Sequence, residues 1–269
     1  MKQATANIER TTLFSTFQHL ELSFTDNYFL NLKPGQSLLV RVEDSLSPYL
    51  LQQWWPVMVK RGDKVVVERP LSEHYEVPST VSVLGLVGQP FRFRGAGMLR
   101  NVLLVAYDTP PTPLLMTIPW LLGNKISVTL VLLGSAMAFD TKMLPAEVEI
   151  ELGDPVVSTG GERQPGVVFE QDENEFIWRN QVMTLGWADQ VFVTVGPRDE
   201  AERFNKVLDR FRQLRQDVPR NYLFGVFQPT LPCGTGACQA CMLRTVHGNG
   251  TSLVCTEGPA FDLTQVILS

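Results

Sequence analysis

Three of the four cysteines in the sequence are packed into "PCGTGACQACM", and the fourth lies downstream in "LVCTEG". Cys233, Cys238, Cys241 and Cys255 have the spacing C-x4-C-x2-C-x13-C. Metal ligation by thiolates is common in compartments where disulfides are rare. The clustering therefore indicates a metal site whose four ligands are these cysteines.

The spacing favours iron over zinc. Structural zinc sites usually combine two separated C-x2-C or C-x2-H pairs, and this sequence has one such pair. A C-x4-C-x2-C run with a distant fourth cysteine is the plant-type arrangement around a [2Fe-2S] cluster. Gly234 and Gly236 let backbone N–H groups approach the sulfides. We therefore expect a [2Fe-2S] cluster, with zinc or free thiols as the alternatives.

The composition is that of a globular protein without a strongly charged partner. Hydrophobic residues make up 44% of the 269 residues, and the net charge is -5. An acidic chain has no electrostatic attraction for nucleic acid or for an anionic membrane surface. The N-terminus lacks the apolar core of a signal peptide, and no run reaches the roughly 18 apolar residues of a membrane span. The sequence thus predicts a cytoplasmic protein with no nucleic-acid partner and no membrane insertion.

Short β segments dominate residues 1–98. They are "LELSF", "SLLVRV", "VMVK", "KVVVE" and "VSVLGLV", and turns rich in Pro, Gly and Asp separate them. In the first segment, Leu20, Leu22 and Phe24 alternate as in a half-buried strand. Because no long amphipathic helix interrupts the series, we expect an antiparallel β-barrel over residues 1–98.

The arrangement of apolar segments in the sequence changes after Arg100. The runs "NVLLVA", "KISVTLVLL", "EVEIEL" and "QVFVTV" are apolar and separated by stretches long enough for helices. This alternation predicts a parallel-sheet, Rossmann-like α/β domain over residues 99–220, with a small [2Fe-2S] domain over 221–269. A helix is predicted in "RDEAERFNKVLDRFRQLRQ", where apolar residues recur at helical spacing. These are Phe204, Val207, Leu208, Phe211 and Leu214.

This order of segments resembles the electron-transfer subunit family of type B dihydroorotate dehydrogenase, whose members are ferredoxin-reductase-like iron–sulfur flavoproteins. The resemblance covers nearly the whole chain and is most specific at "CGTGACQACMLR" and "LVCTEGPAFDL". It implies FAD between the barrel and the α/β domain, NAD on the α/β domain, and a cluster that exchanges electrons with an FMN-bearing catalytic partner subunit.

Two further strings carry the resemblance to the family's cofactor sites. "VSVLGLVGQPF" is similar to the family's Gly-Pro-Leu-Gly-Asn-Gly-Phe turn, and "TVGPRDEAERF" is similar to its Cys-Gly-Pro segment. The resemblance therefore assigns Gly85, Gly88, Gly196 and Pro197 to cofactor binding. Arg92, Arg94 and Arg100, which follow the first string, are candidate phosphate contacts, with exposed surface residues as the alternative interpretation.

The flavin motif departs from the family pattern. Where the family has Arg-Arg-Pro-Ile/Leu-Ser, this chain has "WWPVM" from Trp54. An indole cannot form the charge-assisted phosphate contact of arginine. A second string, "RPLS" from Arg69, lies closer to the Gly85 turn than the family spacing allows, and we interpret it as a chance match. FAD binding is thus left open. Trp54 and Trp55 are interpreted as a partly buried barrel edge, with a plug in the flavin groove or a partner interface as the alternatives.

The segment that corresponds to the family's nicotinamide-binding loop departs further from the family sequence. The family has Gly-Gly-Gly-x-Gly-x-x-Pro after the first α/β strand, whereas this chain has "YDTPPTPLL". The prolines remove N–H donors, and Asp108 places a negative charge where phosphate would lie. Val195 replaces the cysteine of the Cys-Gly-Pro segment. NAD(P)H binding is therefore not expected, although a helix should still follow, with Asp108 or Thr109 as its N-cap.

The leading hypothesis is an electron-transfer subunit that relays electrons through the cluster to or from a redox partner. The alternatives are a complete NAD(P)H-dependent iron–sulfur flavoprotein reductase and a non-catalytic scaffold or redox-sensing subunit of a larger complex. No nucleophile, base or triad is recognisable, and His19, His74 and His247 are interpreted as structural or exposed. No residue is assigned a catalytic role.

Overall fold

The N-terminal half of the chain begins with a closed six-stranded barrel. The computed structural model describes residues 1–41, 51–60, 64–71, 78–95, 97, 99–155, 167–170, 175–215, 217–246 and 250–268. His74 and His247 lie outside the described residues. The barrel strands are antiparallel and follow the order β1-β2-β5-β4-β3-β6. They are β1 (Lys2–Leu13), β2 (Phe17–Phe24), β3 (Ser37–Arg41), β4 (Gln52–Lys60), β5 (Lys64–Pro70) and β6 (Thr80–Val87).

Alternating side chains fill the barrel. Leu20, Leu22 and Phe24 of β2 are buried, as the alternation predicted. They pack with Val65 and Val67 of β5 in the same core cluster. The expected antiparallel barrel is therefore confirmed, and its strands lie between Lys2 and Val87. The domain boundary at residue 98 stays a prediction.

The second half of the chain is built on a six-stranded sheet of order β17-β14-β13-β7-β8-β9. Five neighbouring strands run parallel to one another, in the order β14, β13, β7, β8 and β9, and β17 is antiparallel to β14. The remaining strands form a three-stranded sheet, β10-β12-β11, and a β15-β16 hairpin. The bounds are β7 (Asn101–Tyr107), β8 (Ser127–Leu133), β9 (Glu149–Leu152), β10 (Asp154–Pro155), β11 (Val167–Glu170), β12 (Glu175–Ile177), β13 (Gln190–Val195), β14 (Leu223–Val226), β15 (Met242–Arg244), β16 (Thr251–Leu253) and β17 (Ala260–Asp262).

Helices cover both faces of this sheet, so its central strands are apolar on both sides. The helices are α1 (Thr112–Leu115), α2 (Thr117–Gly123), α3 (Gln181–Trp187), α4 (Glu200–Leu214) and α5 (Val254–Glu257). Leu114 of α1 and Ile118 of α2 pack on one face, and Phe204 and Phe211 of α4 pack on the other. The parallel-sheet α/β domain and the predicted helix at α4 are both confirmed.

One detail of the expected helix after β7 is wrong. Its N-cap is Pro111 rather than Asp108 or Thr109, and no side chain caps it. Thr112 and Pro113 occupy its first two positions, where a missing N–H costs no intrahelical hydrogen bond. The run of prolines therefore moves the helix start past the polar residues.

Strands on the C-terminal side of residue 220 join the α/β sheet. Leu223 of β14 pairs with Val191 of β13, and Phe261 of β17 pairs with Gly225 of β14. The cysteine-bearing segment leaves β14 and returns through β17. The boundary between residues 220 and 221 remains a prediction, but the segment after it is anchored to the sheet at both ends.

A polar contact joins the barrel to α1. Glu68 on β5 is buried, and one of its carboxylate oxygens lies 3.1 Å from His19 Nε2 on β2. The other oxygen accepts a hydrogen bond from the Thr112 hydroxyl on α1. Around this contact, Trp55 and Phe17 of the barrel pack in the same cluster as Leu114. None of the helices in the described residues is long and apolar enough to span a membrane.

We expect Glu68→Ala to lower the free energy of unfolding by about 2–4 kcal/mol, because it leaves His19 and Thr112 without a buried acceptor. Glu68→Gln should cost less, since one acceptor oxygen remains. Urea denaturation followed by tryptophan fluorescence measures both. Glu202→Ala, at an exposed position on α4, is the control and should change stability by no more than about 0.5 kcal/mol. Equal effects of Glu68→Ala and Glu202→Ala would contradict the assigned contact.

Candidate functional site

The cysteines lie in a loop between β14 and β15 and in α5. Cys233 and Cys238 are in the loop, Cys241 immediately precedes β15, and Cys255 is the second residue of α5. Cys241 and Cys255 are buried, whereas Cys238 is exposed. The four thiols thus span the distance from the protein core to its surface.

Hydrogen bonds group the cysteines in two pairs. The Cys238 N–H donates to Cys233 Sγ at 3.5 Å, and the Cys255 N–H donates to Cys241 Sγ at 3.5 Å. The Thr235 N–H also donates to Cys233 Sγ at 3.5 Å. Among the described residues, no three His, Cys, Asp or Glu side chains are grouped so that they could hold one metal ion. These hydrogen bonds define two thiol pairs, Cys233 with Cys238 and Cys241 with Cys255. The pairs are neighbours, because the Gly236 N–H of the loop also interacts with the Cys255 thiol.

Backbone geometry brings these N–H groups to the sulfurs. Gly234 and Gly236 have φ values of +64° and +81°, a region that glycine adopts without strain. A Cβ on Gly234 would lie 2.4 Å from Leu39 Cδ1 of the barrel. The loop therefore packs directly on β3 and leaves no room for a side chain at this position.

The pairs differ in their electrostatic surroundings. Backbone N–H groups of Cys238 and Thr235 lower the pKa of Cys233 to about 6, so this thiol is largely ionised at neutral pH. Burial is the main cause that raises the pKa of Cys255 to about 12, and the neighbouring Cys241 adds to the effect. A bound cation would offset that cost, because thiols that coordinate metal ions are deprotonated.

The segment that carries Cys255 is held by the turn after β6. The Gly88 N–H donates to the Cys255 carbonyl at 3.0 Å, and the Gln89 side-chain amide donates to the Thr256 carbonyl at 2.8 Å. Gly88 has φ +85°, and a Cβ there would meet the Gly258 carbonyl oxygen at 3.0 Å. The turn assigned to cofactor binding in the sequence thus lies against the fourth cysteine.

The other predicted cofactor residues are dispersed. Gly85 is inside the barrel, where a Cβ would meet Leu38 Cδ2 at 2.9 Å. Arg92 is exposed and its carbonyl accepts from Gln190. Gly196 is buried after β13, and Pro197 is exposed beside it. Of these residues, Pro197 lines the cleft described next, and their role in cofactor binding remains a prediction.

A cleft of about 440 Å³ lies between the barrel and the α/β domain and reaches residues 228–231, which precede the cysteine loop. Its barrel wall includes Trp54, Trp55 and Arg69, and the Arg69 guanidinium lies 4.7 Å from the Trp54 ring centroid. Both strings considered as flavin motifs therefore reach one cleft. Trp54 and Trp55 are only 2% and 7% exposed, which contradicts the idea that they meet a partner protein. The opposite wall is formed by Thr109, Pro110, Thr112, Pro113, Pro197 and residues 228–231.

Glu200 is a residue that the sequence reasoning missed. It occupies the first position of α4, and its carboxylate accepts a hydrogen bond from the Gln228 N–H at 2.7 Å. Burial raises its pKa to about 7. Gln228 lines the cleft and also donates to Thr194 at 2.7 Å. The acidic first turn of α4 was the available signal, but nothing in the sequence placed it beside residue 228.

Comparison with known proteins adds two findings. Residues 228–267 match the family described as the iron–sulfur cluster binding domain of dihydroorotate dehydrogenase B. No curated protein matches the sequence closely enough to serve as a relative.

Several solved structures share the fold. A chain from the structure of an NADH-dependent reduced ferredoxin-NADP oxidoreductase superposes with a TM-score of 0.67 at 15% identity, covering 98% of this chain and 90% of that one. The FAD/NAD-binding domain of nitric oxide dioxygenase from Vibrio cholerae O1 biovar El Tor gives 0.57 at 15% identity, covering 84% and 98%. The cytochrome b5 reductase domain of Ulva prolifera nitrate reductase gives 0.55 at 13% identity, covering 82% and 97%.

The barrel, the parallel sheet and these similarities define a ferredoxin-reductase-like fold. Added to that fold is a C-terminal segment of the iron–sulfur-binding type, matched over residues 228–267. The family match thus bears out the resemblance to type B dihydroorotate dehydrogenase over residues 228–267, and the solved structures bear out the fold of the rest.

We expect Gly234→Ala to be more destabilising than Gly250→Ala by about 1–3 kcal/mol. Both glycines have positive φ, so both substitutions carry the same backbone cost of about 1–2 kcal/mol. Only at Gly234 does the new Cβ meet a packed neighbour, since nothing lies within 4 Å of a Cβ on Gly250. Chemical denaturation of the two variants measures the difference. Equal losses would show that the loop does not pack on β3 as described.

Glu200 should make stability fall as pH rises. Its pKa is about 7 in the folded chain against an ordinary value of 4.5, so the folded state binds more protons between these values. Glu200→Gln keeps the acceptor for Gln228 but cannot ionise. We expect the variant to be more stable than the wild type at about pH 8, by roughly 2–3 kcal/mol, with the difference falling to roughly 1 kcal/mol near pH 5 and vanishing below about pH 4. Chemical denaturation of both proteins across this pH range measures the difference. If the free energy of unfolding changed with pH in the same way in both proteins, the assigned role of Glu200 would be refuted.

Proposed function

We propose that this chain is an electron-transfer subunit that relays electrons through a [2Fe-2S] cluster to or from a redox partner. The observation that carries the proposal is the arrangement of Cys233, Cys238, Cys241 and Cys255 as two thiol pairs within the matched segment. Plant-type spacing and two ligands for each iron are what a [2Fe-2S] cluster requires. Zinc instead requires four ligands around one ion.

The residues around the cysteines support this role in three ways. The N–H groups of Thr235, Cys238 and Cys255 point at sulfur and stabilise negative charge there. The low pKa of Cys233 favours ligation at neutral pH. The exposed Cys238 leaves one edge of the site open to an approaching protein. When bound, such a cluster accepts and releases one electron at a time.

The partner in this proposal is a catalytic oxidoreductase subunit, FMN-bearing by analogy with the family. A partner is needed because the chain itself offers no assigned acid, base or nucleophile for substrate chemistry. We place the pair in the cytoplasm, since four reduced cysteines suit a reducing compartment. NAD(P)H is not a ligand in this proposal.

A second candidate adds a flavin to the relay. The cleft beside Trp54 favours it, because its volume of about 440 Å³ lies within the range of small-molecule sites and it ends at the residues that lead into Cys233. Arg69 would be the cation at this site, in place of the family's motif arginine. Flavin released from the native protein by acid and measured by fluorescence distinguishes the two candidates.

The proposal predicts that the protein purified without oxygen contains about two irons and two acid-labile sulfides per chain. Cys238→Ser should lose most of both, because it removes a thiolate from one pair. Gln239→Ala, at the exposed neighbouring position, should retain both and serves as the control. Stoichiometric zinc in the wild type, or full iron and sulfide in Cys238→Ser, would contradict the assignment.

A further inference from the structure

The carboxyl ends of β7, β8 and β13 meet at one edge of the sheet. Open parallel sheets bind nucleotide phosphates at this edge. The residues that follow the three strands are Asp108, Gly134 and Gly196. The sequence predicts that NAD(P)H does not bind at this edge, so the side chains that occupy it are of interest.

The Asp108 side chain lies across the ends of the neighbouring strands. A Cβ on Gly134 would be 1.9 Å from Asp108 Oδ1, and a Cβ on Gly196 would be 3.0 Å from the Asp108 carbonyl oxygen. Asp108 itself has φ +54°, a conformation more typical of glycine. Glycine at the two neighbouring positions therefore makes room for this aspartate.

The carboxylate is bound as a phosphate would be. The Ser135 N–H donates to Asp108 Oδ1 at 3.1 Å, and Arg203 Nη1 lies 2.6 Å from Asp108 Oδ2. The side chains of Asp108 and Arg203 are 10% and 21% exposed. A backbone N–H together with an arginine is a donor set that proteins use for phosphate. Arg203 also donates to the Arg198 carbonyl at 3.0 Å, which fixes its position.

We propose that Asp108 is an intramolecular substitute for a phosphate group. Its carboxylate neutralises Arg203 and fills the anion position at the sheet edge, so a dinucleotide pyrophosphate is repelled and sterically excluded. Removing the carboxylate converts the same position into a binding site for a phosphate-type anion. This inference does not depend on the cluster, so it can fail while the proposed function holds.

The test compares the wild type with Asp108→Asn, which keeps the acceptor for Ser135 but removes the charge. Binding of inorganic pyrophosphate is measured by equilibrium dialysis at constant ionic strength, and NADH binding by its fluorescence. We expect no saturable pyrophosphate binding to the wild type and saturable binding to Asp108→Gly, which suits φ +54° and removes both the charge and the volume of the carboxylate. Its apparent affinity should be at least tenfold higher than that of the wild type. Asp108→Asn, which removes the charge alone, should show a smaller gain.

Two controls separate this site from a general charge effect. Asp209→Asn removes the same charge from an exposed position on α4 and should bind no more than the wild type. Adding Arg203→Gln to Asp108→Asn should abolish the gain. Saturable binding of pyrophosphate or NADH by the wild type would overturn the proposal. So would Asp108 variants that bind neither probe better than Asp209→Asn does.

Discussion

The position of Cys255 depends on one short segment held between the barrel and the sheet. The carbonyl of Cys255 accepts from Gly88 after β6, while β17, a few residues further on, pairs with β14. Cys241 and Cys255 are consequently part of the same apolar cluster as Leu39 and Val87 of the barrel. The cysteine-bearing segment thus shares its core with both halves of the molecule. The geometry of the thiol pairs is therefore a property of the whole fold.

Two places in this structure, the edge of the α/β sheet and the cleft beside the barrel, carry side chains that differ from those expected at nucleotide sites of this fold. At the sheet edge, the Asp108–Arg203 ion pair occupies the region where nucleotide phosphates bind in related folds. In the cleft, Trp54 and Arg69 occupy the barrel wall that faces α1. The sheet edge is filled by the side chains of Asp108 and Arg203, whereas the cleft has an open volume of about 440 Å³.

Much of the fold followed from local pattern. The alternation of Leu20, Leu22 and Phe24 predicted a barrel strand, and the spacing of Phe204, Val207 and Phe211 predicted the buried face of α4, because both periodicities depend only on neighbouring residues. The cysteine spacing predicted the kind of segment that the family comparison confirmed. Long-range contacts could not be predicted in this way. Asp108 and Arg203 are 95 residues apart, and only the sheet topology brings them together.

The most direct test of the central claim is the visible absorption spectrum of the protein purified without oxygen, recorded before and after dithionite. The account predicts broad iron–sulfur bands that bleach on reduction and return on reoxidation, together with a paramagnetic signal in the reduced state. A colourless protein that contains zinc, or bands that no reductant bleaches, would contradict the proposed electron relay.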